Sequence, residues 1–304
     1  VNRASGGGII MELVKEFISL VSEKNELQKK YLEKWKAEDA ERKELGMILQ
    51  FFMEELGYDM DFITEAYLFI NHMVMEETYY FMRNCRYRNS TFDEVKKMVY
   101  DNPWYMERYM MGLSISDYIW INHIKILRYF EKNIGCFSGR YLEIGPGFGQ
   151  CLVKALMKGG FSEYHACDIS KISVERSNRY LKYRNLAEKC NVEEKDFFLY
   201  DSEFKFHCIV MGEVLEHIEH PKEMLEKVYG LLEDDGKAFV TTVINAPAVD
   251  HIFLFQSIED VLDMVCDSGF NVYDYMYATE GDVPLDKAVK KKLAVNIAMI
   301  LEKE

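Results

Sequence analysis

Apolar positions along the chain fall into two textures that meet near residue 136. From Ile10 to about Gly135 they recur at three- and four-residue spacing, the period of amphipathic helices. Lys24 to Lys43 is charged, with Leu27, Tyr31, Leu32 and Trp35 on one covered face, and Leu45 to Leu56 continues that face to Gly57, the expected stop. Asp61 to Cys85 is rich in Met, Phe and Tyr, side chains that fill irregular apolar gaps, and reads as core or a subunit interface. Thr91-Phe-Asp-Glu94 has the spacing of a capping box, and Asn102-Pro103 breaks the helix it opens. Gly112 is expected to be a hinge ahead of a helix from Asp117 to Asn133, closed by Gly135.

From Arg140 the pattern changes to short apolar runs alternating with helical segments, as in an open, mostly parallel sheet covered on both faces. Strands are predicted at 140–145, 164–169, 190–196, 206–213, 236–245, 271–279 and 293–302. Helices are predicted at about 149–159, 171–187 and 221–232, and one more opened by Ser257-Ile-Glu-Asp260 and closed near Gly269. The reading is an α/β protein with a Rossmann-like domain over 136–304 and an all-helical region over 11–135. Residues 1–10, with Val-Asn-Arg-Ala-Ser-Gly-Gly-Gly, are set aside as an expression remnant ahead of Met11.

Composition narrows the partners. At 304 residues and 49% hydrophobic content the chain can bury a large core, and its apolar runs fall far short of a bilayer span. No leader pattern precedes the fold, so a cytoplasmic protein without membrane contact is expected. A formal net charge of −14, against one short basic run at Lys290-Lys-Lys292, argues against nucleic acid. Seven scattered cysteines without a C-x-x-C pair suit reduced thiols.

The chemistry centres on Tyr141-Leu-Glu-Ile-Gly-Pro-Gly-Phe-Gly-Gln150, a strand, a glycine turn and a helix start. Glycines allow positive φ and close ligand approach, and the N–H groups of a helix start favour an anion. A dinucleotide fingerprint needs glycines at relative positions one, three and six, but here they fall at Gly145, Gly147 and Gly149 with Gln150 following. A P-loop would need Gly-Lys-Ser/Thr. Glu143, two residues before the first glycine, would repel phosphates and suits a cation. S-adenosylmethionine, with an ammonium and a sulfonium but no phosphate, fits. Asp168 at the end of the second strand, beside Ile169, is placed to accept ribose hydroxyls. Asp196 at the end of the third is placed for an adenine amino group, with Phe197 as a stacking surface.

These residues, together with Gly212-Glu-Val-Leu-Glu-His217, make the chain over roughly 136–304 resemble the class I S-adenosylmethionine-dependent methyltransferases. The resemblance implies the strand order 3-2-1-4-5-7-6 with the seventh strand antiparallel. It also implies a cofactor site of Glu143, Gly145, Gly147, Gly149, Asp168, Ile169, Asp196, Phe197, Gly212, Glu213 and His217. His217 and His220 stand three apart, but Glu-His after this strand is habitual in the family, so no metal is expected; Glu216 reads as a surface acid.

For the acceptor, the loop Asn245 to Phe255 after the fifth strand offers Asp250 and His251 at the carboxyl edge where open sheets bind ligands. His251 is the candidate base and Asp250 its acid neighbour. Tyr105 and Tyr109 are the candidate lid, ring faces toward the sulfonium. The expected reaction is methyl transfer to a small molecule, on oxygen first and on nitrogen or carbon second. Two alternatives stay open: cyclisation of S-adenosylmethionine with release of methylthioadenosine, and a binding module without turnover. The helical region is also a candidate homodimer surface.

Overall fold

The computed structural model describes residues 6–304. The helical region comprises α1 (Gly6–Lys24), α2 (Glu26–Leu32), α3 (Asp39–Glu54), α4 (Met60–Asn84), α5 (Phe92–Val95), a π-helical turn (Lys96–Tyr100), α6 (Pro103–Ile119) and α7 (Ile121–Ile134). The domain that follows runs β1 (Gly139–Ile144), α8 (Gln150–Lys158), β2 (Phe161–Asp168), α9 (Lys171–Tyr183), β3 (Val192–Glu194) and β4 (Phe206–Gly212). It continues through α10 (Pro221–Leu231), β5 (Leu232–Ile244), α11 (Ile258–Asp267), β6 (Phe270–Thr279), α12 (Leu285–Lys291) and β7 (Val295–Lys303).

The seven strands form one sheet in the order β3-β2-β1-β4-β5-β7-β6, with β7 antiparallel to β5 and β6. Residues alternate between its faces, as the two-residue period of a strand requires. Tyr141, Val210, Phe239 and Ile300 face a core shared with the helical region, whereas Leu142, Ile209, Val240 and Met299 face the core under the helices of the other side. Phe130 of α7 meets Phe239 of β5 edge-on at 5.0 Å, so helical region and sheet pack as one body along this face.

Several local expectations are corrected. Residues 6–10 belong to α1, and Ile10 lies so close to Gly46 that a Cβ there would come within 2.3 Å of it; residues 1–5 of the stretch set aside lie outside the described residues. The single helix expected over Lys24 to Lys43 is two. Asn25 accepts the Leu27 and Gln28 N–H groups to start α2, a Glu38/Glu41 capping box starts α3, and Leu27 is exposed. Thr91 makes no cap bond; the Glu219 carboxylate takes the Phe92 N–H instead.

Gly112 is no hinge but sits inside α6, where a Cβ would stand 2.3 Å from Ile70 Cγ1 and 2.6 Å from the Ala66 carbonyl, so it sets the closeness of α4 and α6. The chain breaks at Trp120, in extended conformation, and the Tyr31 hydroxyl accepts the Ile121 N–H that opens α7. Helix α12 was not expected. The Ser257/Asp260 capping box stands as read.

Candidate active site

The glycine turn joins β1 to α8. Gly145, Gly147 and Gly149 all take positive φ, at 63°, 56° and 92°. The turn is held from three sides: the Gly145 N–H donates to the Cys167 carbonyl, the Gly147 N–H to Asp168 Oδ2, and the Ser177 hydroxyl to the Gly147 carbonyl. A Cβ on Gly147 would meet nothing within 4 Å, so the space beside the turn is open to a ligand.

Asp168 is buried and also accepts the Ser170 N–H at 2.8 Å. Burial pushes its pKa up to about 6, against the Ser170 and Gly147 N–H bonds and the nearby His217 ring that pull it down. Two of its lone-pair directions remain for ribose hydroxyls. Ile169 beside it is exposed.

Glu143, read as a carboxylate that suits a cationic ligand, is enclosed. Its side chain is buried, accepts the Tyr141 hydroxyl, and is pushed by burial up to about 8. It is therefore mostly a neutral acid at pH 7. The linkage sign follows: unfolded Glu143 loses its proton near 4.5 and folded Glu143 only near 8, so its burial costs stability increasingly as pH rises through that window. Glu143→Gln, which keeps the acceptor for Tyr141, is expected to match the native Tm near pH 4 and to exceed it by a widening margin up to about pH 8. Thermal unfolding followed by circular dichroism across this range checks the margin.

Asp196 caps the short turn after β3 by accepting the Phe198 N–H at 2.9 Å. Phe197 turns into the core against Tyr200, ring centroids 5.8 Å apart, instead of lying free as a stacking surface; Phe198 is the more exposed ring. At the end of β4, Glu213 takes a positive φ of 53° and accepts Thr241 and Asn296, at 2.7 and 3.0 Å. Burial raises its pKa. A Cβ on Gly212 would stand in ordinary contact with Thr241 Oγ1, at 3.7 Å.

The acceptor-side residues come together around Asp250, which is buried in the loop after β5. Tyr109 donates to its Oδ2 at 2.7 Å and Tyr100 at 3.1 Å, while Oδ1 is buried without a partner among the described residues. Burial alone would raise its pKa, but the His217 and His251 rings and the two hydroxyls bring it below the ordinary carboxylate range. His251 stands perpendicular to His217 at 4.8 Å and places Nδ1 at 2.6 Å from the Ala246 carbonyl. A carbonyl only accepts, so Nδ1 carries the proton and Nε2 keeps its lone pair. Burial and His217 lower its pKa to about 4, so the ring is neutral at pH 7.

Tyr105 stacks obliquely on Tyr109 at 6.1 Å. Tyr109 thus serves the Asp250 carboxylate with its hydroxyl, a role its expected place as a ring lid did not include.

Three participants were missed. Tyr100 reads as one more apolar helical position, and nothing in the sequence marks the π-turn. Tyr87 accepts the Ala246 N–H at 3.2 Å and meets His251 edge-on. Glu216, read as a surface acid, is fully buried; burial and Glu213 push its pKa far up, and its Oε1 has no partner among the described residues. Glu216, His217 and His251 offer ligand atoms within 4.8 Å of one another, the geometry among the described residues that would accommodate a divalent cation. His220, weighed as the partner of His217, instead lies exposed near Glu223.

A sheet of this order, with a glycine turn after β1 and an acid closing β2, defines a class I S-adenosylmethionine-dependent methyltransferase fold. Residues 142–238 match a family model described as a methyltransferase domain, and S-adenosylmethionine is the cofactor of such a domain. The chain is 27% identical over 165 residues to a ubiquinone biosynthesis O-methyltransferase of Glaesserella parasuis serovar 5, covering 53% of this chain and 68% of that one. It is 26% identical over 123 residues to one of Coxiella burnetii, covering 40% and 51%. It thus spans about half the length of this second relative. Among solved structures, mitomycin 7-O-methyltransferase MmcR aligns with a TM-score of 0.55 at 14% identity, over 81% of this chain and 71% of that one, a likeness of fold.

The turn fits the cofactor: open space beside Gly147 and free acceptor capacity on Asp168 stand at the two places the methionine and ribose parts require. Among the described residues no helix is long and apolar enough to cross a membrane.

Proposed function

We propose that the protein transfers the methyl group of S-adenosylmethionine to a small-molecule acceptor, on oxygen first and on nitrogen or carbon second. The observation that carries this reading is the convergence of Asp250 and His251 with Tyr109 and Tyr100 of the helical region, in a buried cluster whose His217 acts electrostatically on Asp168. The two relatives bear the name O-methyltransferase, which favours oxygen.

When bound, the cofactor supplies a methyl carbon activated by the adjoining sulfonium. The chain's part is positioning: Gly145 to Gly149 and the start of α8 hold the methionine portion, Asp168 the ribose, and Asp196 the adenine edge. Glu213 is engaged by Thr241 and Asn296 and shapes the strand end. His251 Nε2 receives the proton of the acceptor, and Tyr105 and Tyr109 exclude water. Residues 11–135 act as the cap and 136–304 as the cofactor domain, in a cytoplasmic biosynthetic enzyme. Met75, Tyr79 and Met82, exposed on α4, are the surface proposed for a homodimer.

Incubation with methyl-labelled S-adenosylmethionine and a panel of phenols, amines and activated carbon acids tests the order of acceptors. Label retained in an ether of a phenol supports it, and label only on nitrogen or carbon overturns it. A second reading rests on Glu216 Oε1: a divalent cation held by Glu216, His217 and His251 would take over activation of the acceptor. Loss of turnover on dialysis against EDTA, restored by added Mg²⁺ or Zn²⁺, would favour it.

A further inference from the structure

The five-residue turn Lys96–Tyr100 is π-helical: the Asp101 N–H reaches back to the Lys96 carbonyl at 2.7 Å, one residue further than an α-helix allows. Such wide turns are uncommon and recur at functional sites. Val95 and Val99 hold this one in the core. Just past them, Tyr100 reaches across 117 residues of sequence to His217 and across 150 to Asp250.

Donor logic orders the contacts. His217 Nδ1 lies 3.0 Å from the Asp250 carbonyl, so it carries the proton. It stands 3.3 Å from the Tyr100 oxygen, which accepts from it and passes its own proton toward Asp250 Oδ2 at 3.1 Å. Tyr109 reaches the same carboxylate oxygen but has no bond to His217. The other charged or titratable groups acting on Tyr100 are Asp168 and Glu216. His217 in turn meets His251 edge to face.

We propose that Tyr100 is a positioning residue: its hydroxyl, aimed by the π-turn, bridges the His217 ring and the Asp250 carboxylate, fixes the orientation of His217, whose tautomer the Asp250 carbonyl sets, and through the perpendicular ring contact holds His251 in place. This rests on the methyl-transfer reading only for the use to which His251 is put; the arrangement of the rings is tested without any acceptor.

The experiment is long-range proton–nitrogen correlation NMR of the whole, histidine-labelled protein at neutral pH, with His217 assigned by loss of its signals in His217→Gln. Native protein is expected to show His217 as the Nδ1–H tautomer alone; an Nε2–H form overturns the proposal before any variant of the tyrosine is made. Tyr100→Phe, which keeps the ring and leaves the Asp250 carbonyl to hold the tautomer, is expected to shift and broaden the His217 and His251 ring signals as the rings lose their fixed orientation, whereas Tyr109→Phe, which also removes a donor to Asp250, leaves the His217 signals sharp. Broadening in both variants, or in neither, overturns it. With a phenol that the native enzyme methylates, Tyr100→Phe is further expected to lower kcat about tenfold at unchanged KM; a rise in KM alone would mark Tyr100 as an acceptor-binding group instead. If no acceptor is methylated, the transfer reading has failed and the ring-signal comparison of the two variants still decides the role of Tyr100.

Discussion

His251→Ala is expected to lower kcat about 100-fold while leaving the Kd for S-adenosylmethionine unchanged. The size follows from the state of the ring. With Nδ1–H committed to the Ala246 carbonyl and the pKa held near 4, Nε2 is always free to accept a proton at pH 7 but is a weak base. Its assistance therefore lies at the low end of the 100- to 10,000-fold span of general-base catalysis, roughly. Cofactor affinity is expected to be spared, because the glycine turn and Asp168 are held by bonds that do not include His251. Steady-state release of S-adenosylhomocysteine with a methylated phenol, beside calorimetry for the cofactor, measures the two quantities. A variant within threefold of native kcat would remove His251 from the reaction.

Gly147→Val acts at the other end of the site. At φ 56° a β-branched residue is strained by about 1–3 kcal/mol, a cost a domain of this size survives. The protein offers the new side chain no clash, since nothing lies within 4 Å of its Cβ. The conflict is with the ligand: the valine fills the open space beside the turn, and strain there disturbs the N–H that reaches Asp168. Kd for S-adenosylmethionine is expected to rise by more than about 100-fold, or about 2.8 kcal/mol, with the circular dichroism spectrum retained. Unchanged affinity by calorimetry would show that the cofactor lies elsewhere.

The sheet was legible because its signals are local. Apolar runs of strand length, the Ser257/Asp260 capping box and the glycines at 145, 147 and 149 each act within a few residues, and the strand order came with the family resemblance. The breaks at Asn25 and Trp120 were harder. Asn25 caps α2 within a continuous apolar face, and the Trp120 break depends on the hydroxyl of Tyr31, far off in sequence. The site divides the same way. Asp168 and the glycines could be read from position alone, but Phe197 and Phe198 are adjacent rings whose burial only the packing of Tyr200 decides. The burial of Glu143 and Glu216, which turns two apparent charges into neutral acids, is a property of the assembled core. Tyr100 needed the π-turn, and a π-turn leaves no sequence period of its own.

The central claim is that the site moves a methyl group from bound S-adenosylmethionine to a separate small molecule. It is tested most directly by incubating the protein with S-adenosylmethionine, with and without a deproteinised cell extract, and identifying the nucleoside product by mass spectrometry. S-adenosylhomocysteine that appears only when the extract is present is the expected result. Methylthioadenosine formed without extract would contradict the claim and establish cyclisation of the cofactor, and binding without either product would reduce the protein to a module that holds S-adenosylmethionine without turnover.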